Sequence, residues 1–140
     1  MNPTNHKVSK KRKYLFHDVF SGIIYYIPEE KSLGSRLDSN IIFYELKKKY
    51  ASKSNLLDDI CFSTDGIAPV SDEVTDALFS LTISHFLYFD PENGKLRKNK
   101  KANKSIEDYV ILKFNKKQLK QLEMMAIDYI KILGSDKRLF

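Results

Sequence analysis

Residues 115–134, NKKQLKQLEMMAIDYIKILG, constrain the fold more than any other stretch. Asn115 and Gln118 stand three apart, a spacing at which each side chain can satisfy a backbone amide near the start of a helix. Leu119, Leu122, Ala126, Ile130 and Leu133 then recur at steps of three and four, which places them on one side of an α-helix. Gly134 follows at a position where helices favour a left-handed residue. Such a helix, near 116–133, draws most of its stability from burying its apolar stripe. The simplest receiver is the core of the same chain, with Met124 and Met125 as adaptable filling. A partner-binding or homodimer face is the alternative use of the stripe.

The rest of the chain supplies shorter elements. In YLFHDVFSGIIYYIPEE, a hairpin near Ser21 and Gly22 competes with a helix ended at Pro28, and the β-branched and aromatic residues of GIIYYI favour a strand. LDSNIIFYELKKKYASK reads as a helix capped by Asp38 or Ser39, with Ile42, Phe43, Leu46 and Tyr50 on one face. Lys47, Lys48 and Lys49 fall at its C-terminal end, where cations complement the helix dipole without any ligand. A short helix is expected over NLLDDICF, turning Leu56, Leu57, Ile60 and Cys61 inward. Ser71 caps DEVTDALFSLTI, whose Val74, Ala77, Leu78 and Leu81 form an apolar face. HFLYF, the turn DPENG and KLRK then form a β-hairpin near residues 85–98. SIEDYVILKF reads as helix from its capping box, Ser105 with Asp108, and as strand from YVIL. The fold class is α+β, mostly helical. One globular domain over 14–134 is expected, between a basic arm at 1–13 and a tail at 135–140.

Charge is distributed unevenly. Net charge is +6, yet residues 1–13 carry five cations and no acid, and residues 94–105 carry six cations and no acid. The remaining 13 basic residues face all 18 acids, so the rest of the chain is net acidic. Clustered cations favour polyanion binding through counterion release, and they also simply keep loops solvated. The candidate polyanion-binding residues are Lys10, Lys11, Arg12 and Lys13 in the arm, and Lys95, Arg97, Lys98, Lys100, Lys101 and Lys104 after the turn.

Signals for catalysis are sparse. The three histidines, His6, His17 and His85, have no metal-ligand spacing. His85 reads as a satisfied core or boundary residue. The adjacent Asp58 and Asp59 would point about 100° apart on a helix, unlike carboxylates sharing one site. Phosphate-binding glycine loops are absent, and the single cysteine, Cys61, has apolar helical neighbours that suggest a buried thiol. No catalytic residue, metal or cofactor is expected; an enzyme site assembled from Asp58, His85 and tyrosines is the least favoured reading. One cysteine excludes an intrachain disulfide framework and suits a reducing, cytoplasmic compartment. The longest apolar runs, GIIYYIP and YVIL, are far too short to cross a bilayer, so no membrane association is expected.

Residues 56–98 carry the architectural signal with functional consequences. Short helix, turn, helix and charged hairpin is the order of a winged helix, in which the second helix enters the major groove and the wing meets phosphates. The hairpin suits that use. The helix does not: its leading residues would be Asp72, Glu73, Thr75 and Asp76, and no Lys or Arg lies between Lys53 and Lys95. Acids repel phosphate, and base edges are usually read by Arg, Lys, Asn or Gln.

DGIAPVSDEVTDALFSL, with a helix before it and an aromatic extended segment after it, resembles the G-P-V plus helix segment of Panacea-type antitoxin domains and related small phage-defence components. The resemblance covers residues 56–90. It implies a short, helix-rich, winged-helix-like and non-catalytic protein that acts by binding a protein partner, and it assigns no residue a role. The expected function is therefore a regulatory or defence-associated binding module with a protein partner. The alternative is a winged-helix-like nucleic-acid binder using the arm and hairpin for nonspecific backbone contacts.

Overall fold

The structure, a computed structural model, describes residues 14–135. The basic arm at 1–13 and residues 136–140 of the tail lie outside the described residues. Chain order is α1 (Phe16–Tyr26), β1 (Ser32–Gly34), α2 (Arg36–Tyr50), α3 (Asp72–Ile83), β2 (Leu87–Phe89), β3 (Leu96–Lys98), α4 (Ala102–Tyr109), a 3-10 turn (Ile111–Lys113) and α5 (Lys116–Leu133). The three strands form one antiparallel sheet in the order β1-β3-β2, with Tyr88 opposite Arg97. The α+β, mostly helical class holds, as do the hairpin and the C-terminal helix.

The fold is built on α1 and α5. Helix α1 packs against α5, α3 and α4, and Val19, Phe20, Ile23 and Ile24 lie fully buried in the single hydrophobic cluster. Gly22 lets α1 and α5 approach closely: a Cβ there would sit 2.7 Å from Leu122 Cδ1. The strand expected over residues 22–27 is thus a helix. Burial on several sides favours an all-round apolar helix, and the local β preference of Ile and Tyr is too weak to resist that packing. The helix stops before Pro28.

Three further expectations shift. Helix α2 is capped by Ser35, not Asp38 or Ser39: Ser35 Oγ accepts from the Asp38 amide at 3.1 Å and the Asp38 carboxylate accepts from the Ser35 amide at 3.0 Å. That frees Ser39 for the core, where its hydroxyl meets Tyr129 Oη at 2.8 Å, while Tyr129 Oη donates to Leu33 O. Residues 56–59 form turns rather than a helix; Leu56, Leu57 and Ile60 still point inward, but Cys61 is exposed. Residues 106–114 contain no strand. Helix α4 begins at Ala102, inside the basic run, and continues into the 3-10 turn.

The caps of α3 and α5 match their sequence signatures. Ser71 Oγ accepts from the Val74 amide at 3.2 Å, and Asn115 and Gln118 exchange bonds of 2.8 and 2.9 Å. Gly134 ends α5 with φ −81°, so it is not the left-handed residue expected. The buried face of α5 centres on Leu122, Met125, Ala126 and Tyr129, with Leu119, Ile130 and Leu133 packed half-buried at its borders.

Candidate functional site

The basic run 95–104 is divided by the fold into surface and interior. Lys98 is only 4% exposed. Its Nζ donates to the carbonyls of Ile24, Tyr25 and Ile27 at 3.1, 3.4 and 2.6 Å and to Asn103 Oδ1 at 2.9 Å. The last carbonyls of a helix have no partners within it, and β3 carries Lys98 beneath those of α1 to satisfy them. Burial pushes its pKa below the ordinary lysine value, against the opposing pull of Glu29 and Glu30. Lys98 therefore does not belong to a surface that meets phosphate, because its donors are spent inside. Arg97 is half-buried and donates to Glu30 O at 3.2 Å and Glu29 O at 3.4 Å. Lys95, Lys100, Lys101 and Lys104 remain exposed, with Lys104 3.4 Å from Asp108. Lys10, Lys11, Arg12 and Lys13 fall outside the described residues.

Helix α3 behaves in the opposite way. Its inner face buries Val74, Ala77, Leu78 and Leu81, as the spacing predicts. Its outer face presents Phe79 at 68% and Ile83 at 60% exposure. Strand β2, which follows α3 directly, adds Phe89, and the Arg36 guanidinium lies 5.9 Å from the centre of that ring. Arg36, Thr75, Asp76, Leu78, Phe79, Thr82 and Phe89 together line a groove of about 280 Å³. The sequence held a sign of this: DALFSLTI has more large apolar residues than one helix face can bury. Helical periodicity marks only the inner face, so it does not single out Phe79, Ile83, Phe89 or Arg36.

On the other side of Asp76 lies a wider groove of about 610 Å³, walled by Leu15, Phe16 and Ala77 and rimmed by Asp18, Asp59, Glu73 and Lys113. Lys113 Nζ sits 3.2 Å from both Asp18 oxygens. Burial alone would raise the Asp18 pKa, but hydrogen bonds from His17, the Leu15 amide and Lys113 outweigh it and hold the carboxyl below its ordinary value. Glu73 accepts from the Cys61 amide at 2.9 Å and from Ser71 Oγ at 3.1 Å, and the first of these is the main reason its pKa is lowered. Asp18 and Glu73 therefore stay ionised at neutral pH.

The groups named for a catalytic reading are separated. Asp58 lines a polar cleft with Ser54, Asn115 and Gln121, whereas His85 is exposed on the turn after α3. His85 is not a core residue. Its φ of 66° makes it the left-handed residue closing α3, with the Phe86 amide on Leu81 O at 2.9 Å and its own amide on Thr82 O at 3.1 Å. Among the described residues, no group of three His, Cys, Asp or Glu side chains is placed to hold a metal ion, and no helix is long and apolar enough to cross a membrane. No family model, curated protein or solved structure matches the chain.

Proposed function

We propose that this protein is a non-catalytic regulatory or defence-associated binding module that acts through a protein partner, docking on the outer face of α3 and the adjoining β2. The exposure of Phe79 and Ile83 carries this reading. Scattered apolar residues on a surface need no explanation, but aromatic side chains beside an apolar groove are the usual anchors of protein recognition. The resemblance of residues 56–90 to Panacea-type antitoxins points to the same class.

The test is affinity capture with the wild type and the F79S/I83S double variant. Both side chains are exposed, so the variant keeps wild-type stability within about 1 kcal/mol. It loses the specific partner of the wild type at least tenfold, as expected when a central apolar anchor is removed. A partner retained undiminished by a folded F79S/I83S protein refutes the reading.

Nucleic-acid binding is the second reading, favoured by the exposure of Lys95, Lys100, Lys101 and Lys104. It requires an affinity that falls steeply with salt, by a log–log slope of roughly −0.9 per phosphate neutralised. Charge reversal at Lys95, Lys100 and Lys101 without loss of duplex affinity removes it.

A further inference from the structure

The antiparallel sheet has two unlike faces. Side chains alternate across a strand, and directly opposed residues share a side. Leu87 opposes Lys98, and Tyr88 opposes Arg97. The first pair is buried, together with Leu96 two positions along β3. The second pair therefore points the other way, and Tyr88 is 42% exposed. Beside it lies a cleft of about 260 Å³ lined by Glu29, Tyr88, Arg97, Lys98, Asn99 and Lys100. The Arg97 guanidinium is fixed at its wall by the Glu29 and Glu30 carbonyls, 3.4 and 3.2 Å away.

An exposed aromatic ring among cations is the usual platform for unpaired bases, because every base has a π-face and every link a phosphate. We infer that the Tyr88 cleft takes one base of a single-stranded nucleic acid, stacked on the tyrosine ring, with the neighbouring phosphates met by Lys95, Lys100 and Lys101. The cleft is smaller than those that enclose whole ligands and suits one flat ring. Glu29, Asn99 and Lys100 supply the acceptors and donors that an unpaired base edge needs. A duplex offers no such base, since its bases are stacked on each other and paired along those edges. Acids stand near: Glu29 and Glu30 are close enough to act on Lys98, Asp90 lies 4.0 Å from Arg97, and Glu92 is in the hairpin turn. Lys98 and Arg97 answer the first three. Lys95, Lys100 and Lys101 are exposed and enter no ion pair among the described residues. This inference rests on the nucleic-acid reading above and adds its substrate class. It leaves the α3 face free for a protein, because the groove beside Phe79 shares no lining residue with this cleft.

The experiment is fluorescence anisotropy of the full chain with oligo(dT) and oligo(U) of about 12 nucleotides, a duplex of equal length, and free thymidine and uridine monophosphates. The variants are Tyr88→Ala, Tyr88→Phe and Lys100→Glu; both side chains are exposed, and thermal unfolding checks that each variant keeps the wild-type fold. Single strands are expected to bind roughly tenfold tighter than the duplex, with an affinity that falls with salt. Tyr88→Ala lowers single-strand affinity by about tenfold, whereas Tyr88→Phe keeps most of it because the ring remains. Lys100→Glu weakens every strand and flattens the salt dependence. Equal affinity for strand and duplex, unmoved by Tyr88→Ala but lost in Lys100→Glu, overturns the inference and leaves the nucleic-acid reading standing. Equal losses in Tyr88→Ala and Tyr88→Phe assign the contact to the hydroxyl and overturn stacking. A monophosphate bound as tightly as the strand gives the cleft to a free nucleotide and overturns the strand. No binding to any of these probes overturns both the inference and the nucleic-acid reading.

Discussion

The basic run after the hairpin and the outer face of α3 depart from the usual rule of polar outside and apolar inside in opposite directions. In the run, the fold takes a cation inward and satisfies it: Lys98 has carbonyl and amide acceptors for its ammonium. In α3, the fold leaves Phe79 and Ile83 in water. A buried charge whose donors are all engaged is a structural device, because removing it exposes unmet carbonyls. An exposed aromatic face gains nothing from its own fold, and its stabilisation waits for something that covers it. The region that looks functional in the sequence is thus partly architecture, and the region that looks like an ordinary core helix carries an exposed apolar face.

The largest expected effect breaks the basic run apart. Lys98→Met removes the ammonium under the end of α1 and lowers unfolding stability by about 2 kcal/mol. Lys100→Met, two residues away in solvent, stays within about 0.5 kcal/mol. Denaturant unfolding of the two variants checks this, and equal costs would contradict the division of the run. A pH signature sharpens it. The folded-state pKa of Lys98 is lowered, mainly by burial. Just below the ordinary lysine value, the unfolded chain therefore holds a proton that the native state has released. Stability from this group then rises with pH through that window. The stability difference between wild type and Lys98→Met should grow from pH 8 to pH 10, the tyrosines cancelling between the two proteins.

The smallest effect concerns the end of α3. His85 holds a positive φ, which glycine adopts without the Cβ penalty. His85→Gly should stabilise the protein by about 0.5 kcal/mol, read as a raised midpoint of thermal unfolding, while leaving binding at Phe79 unchanged. A loss of stability would mean that the imidazole makes contacts that outweigh the relief of its backbone.

Much of the fold was legible where a local rule and the tertiary demand agree. The Ser71 and Asn115 caps, the DPENG turn and the inward residues of α3 follow from chemistry within a few positions. Legibility failed where distant partners decide. The residues GIIYYI prefer strands locally, yet they face α5 across Gly22 and become helix. Tyr129 gives no sign in sequence that it will meet Ser39, 90 positions away, and fix the start of α2 against α5. The candidate site divides likewise. Its acidity was plain from the missing cations, while its apolar part was hidden because alternate apolar residues in DALFSLTI all look like core.

By itself the sequence determined the mostly helical α+β class, the hairpin, the C-terminal helix and the segregation of charge, since periodicity, capping and turn chemistry act over a few residues. Only the tertiary structure decided which lysine is interior and which phenylalanine is exposed. Burial depends on what the rest of the chain brings within reach: the end of α1 needed a donor and received Lys98, whereas no element of the described chain covers Phe79.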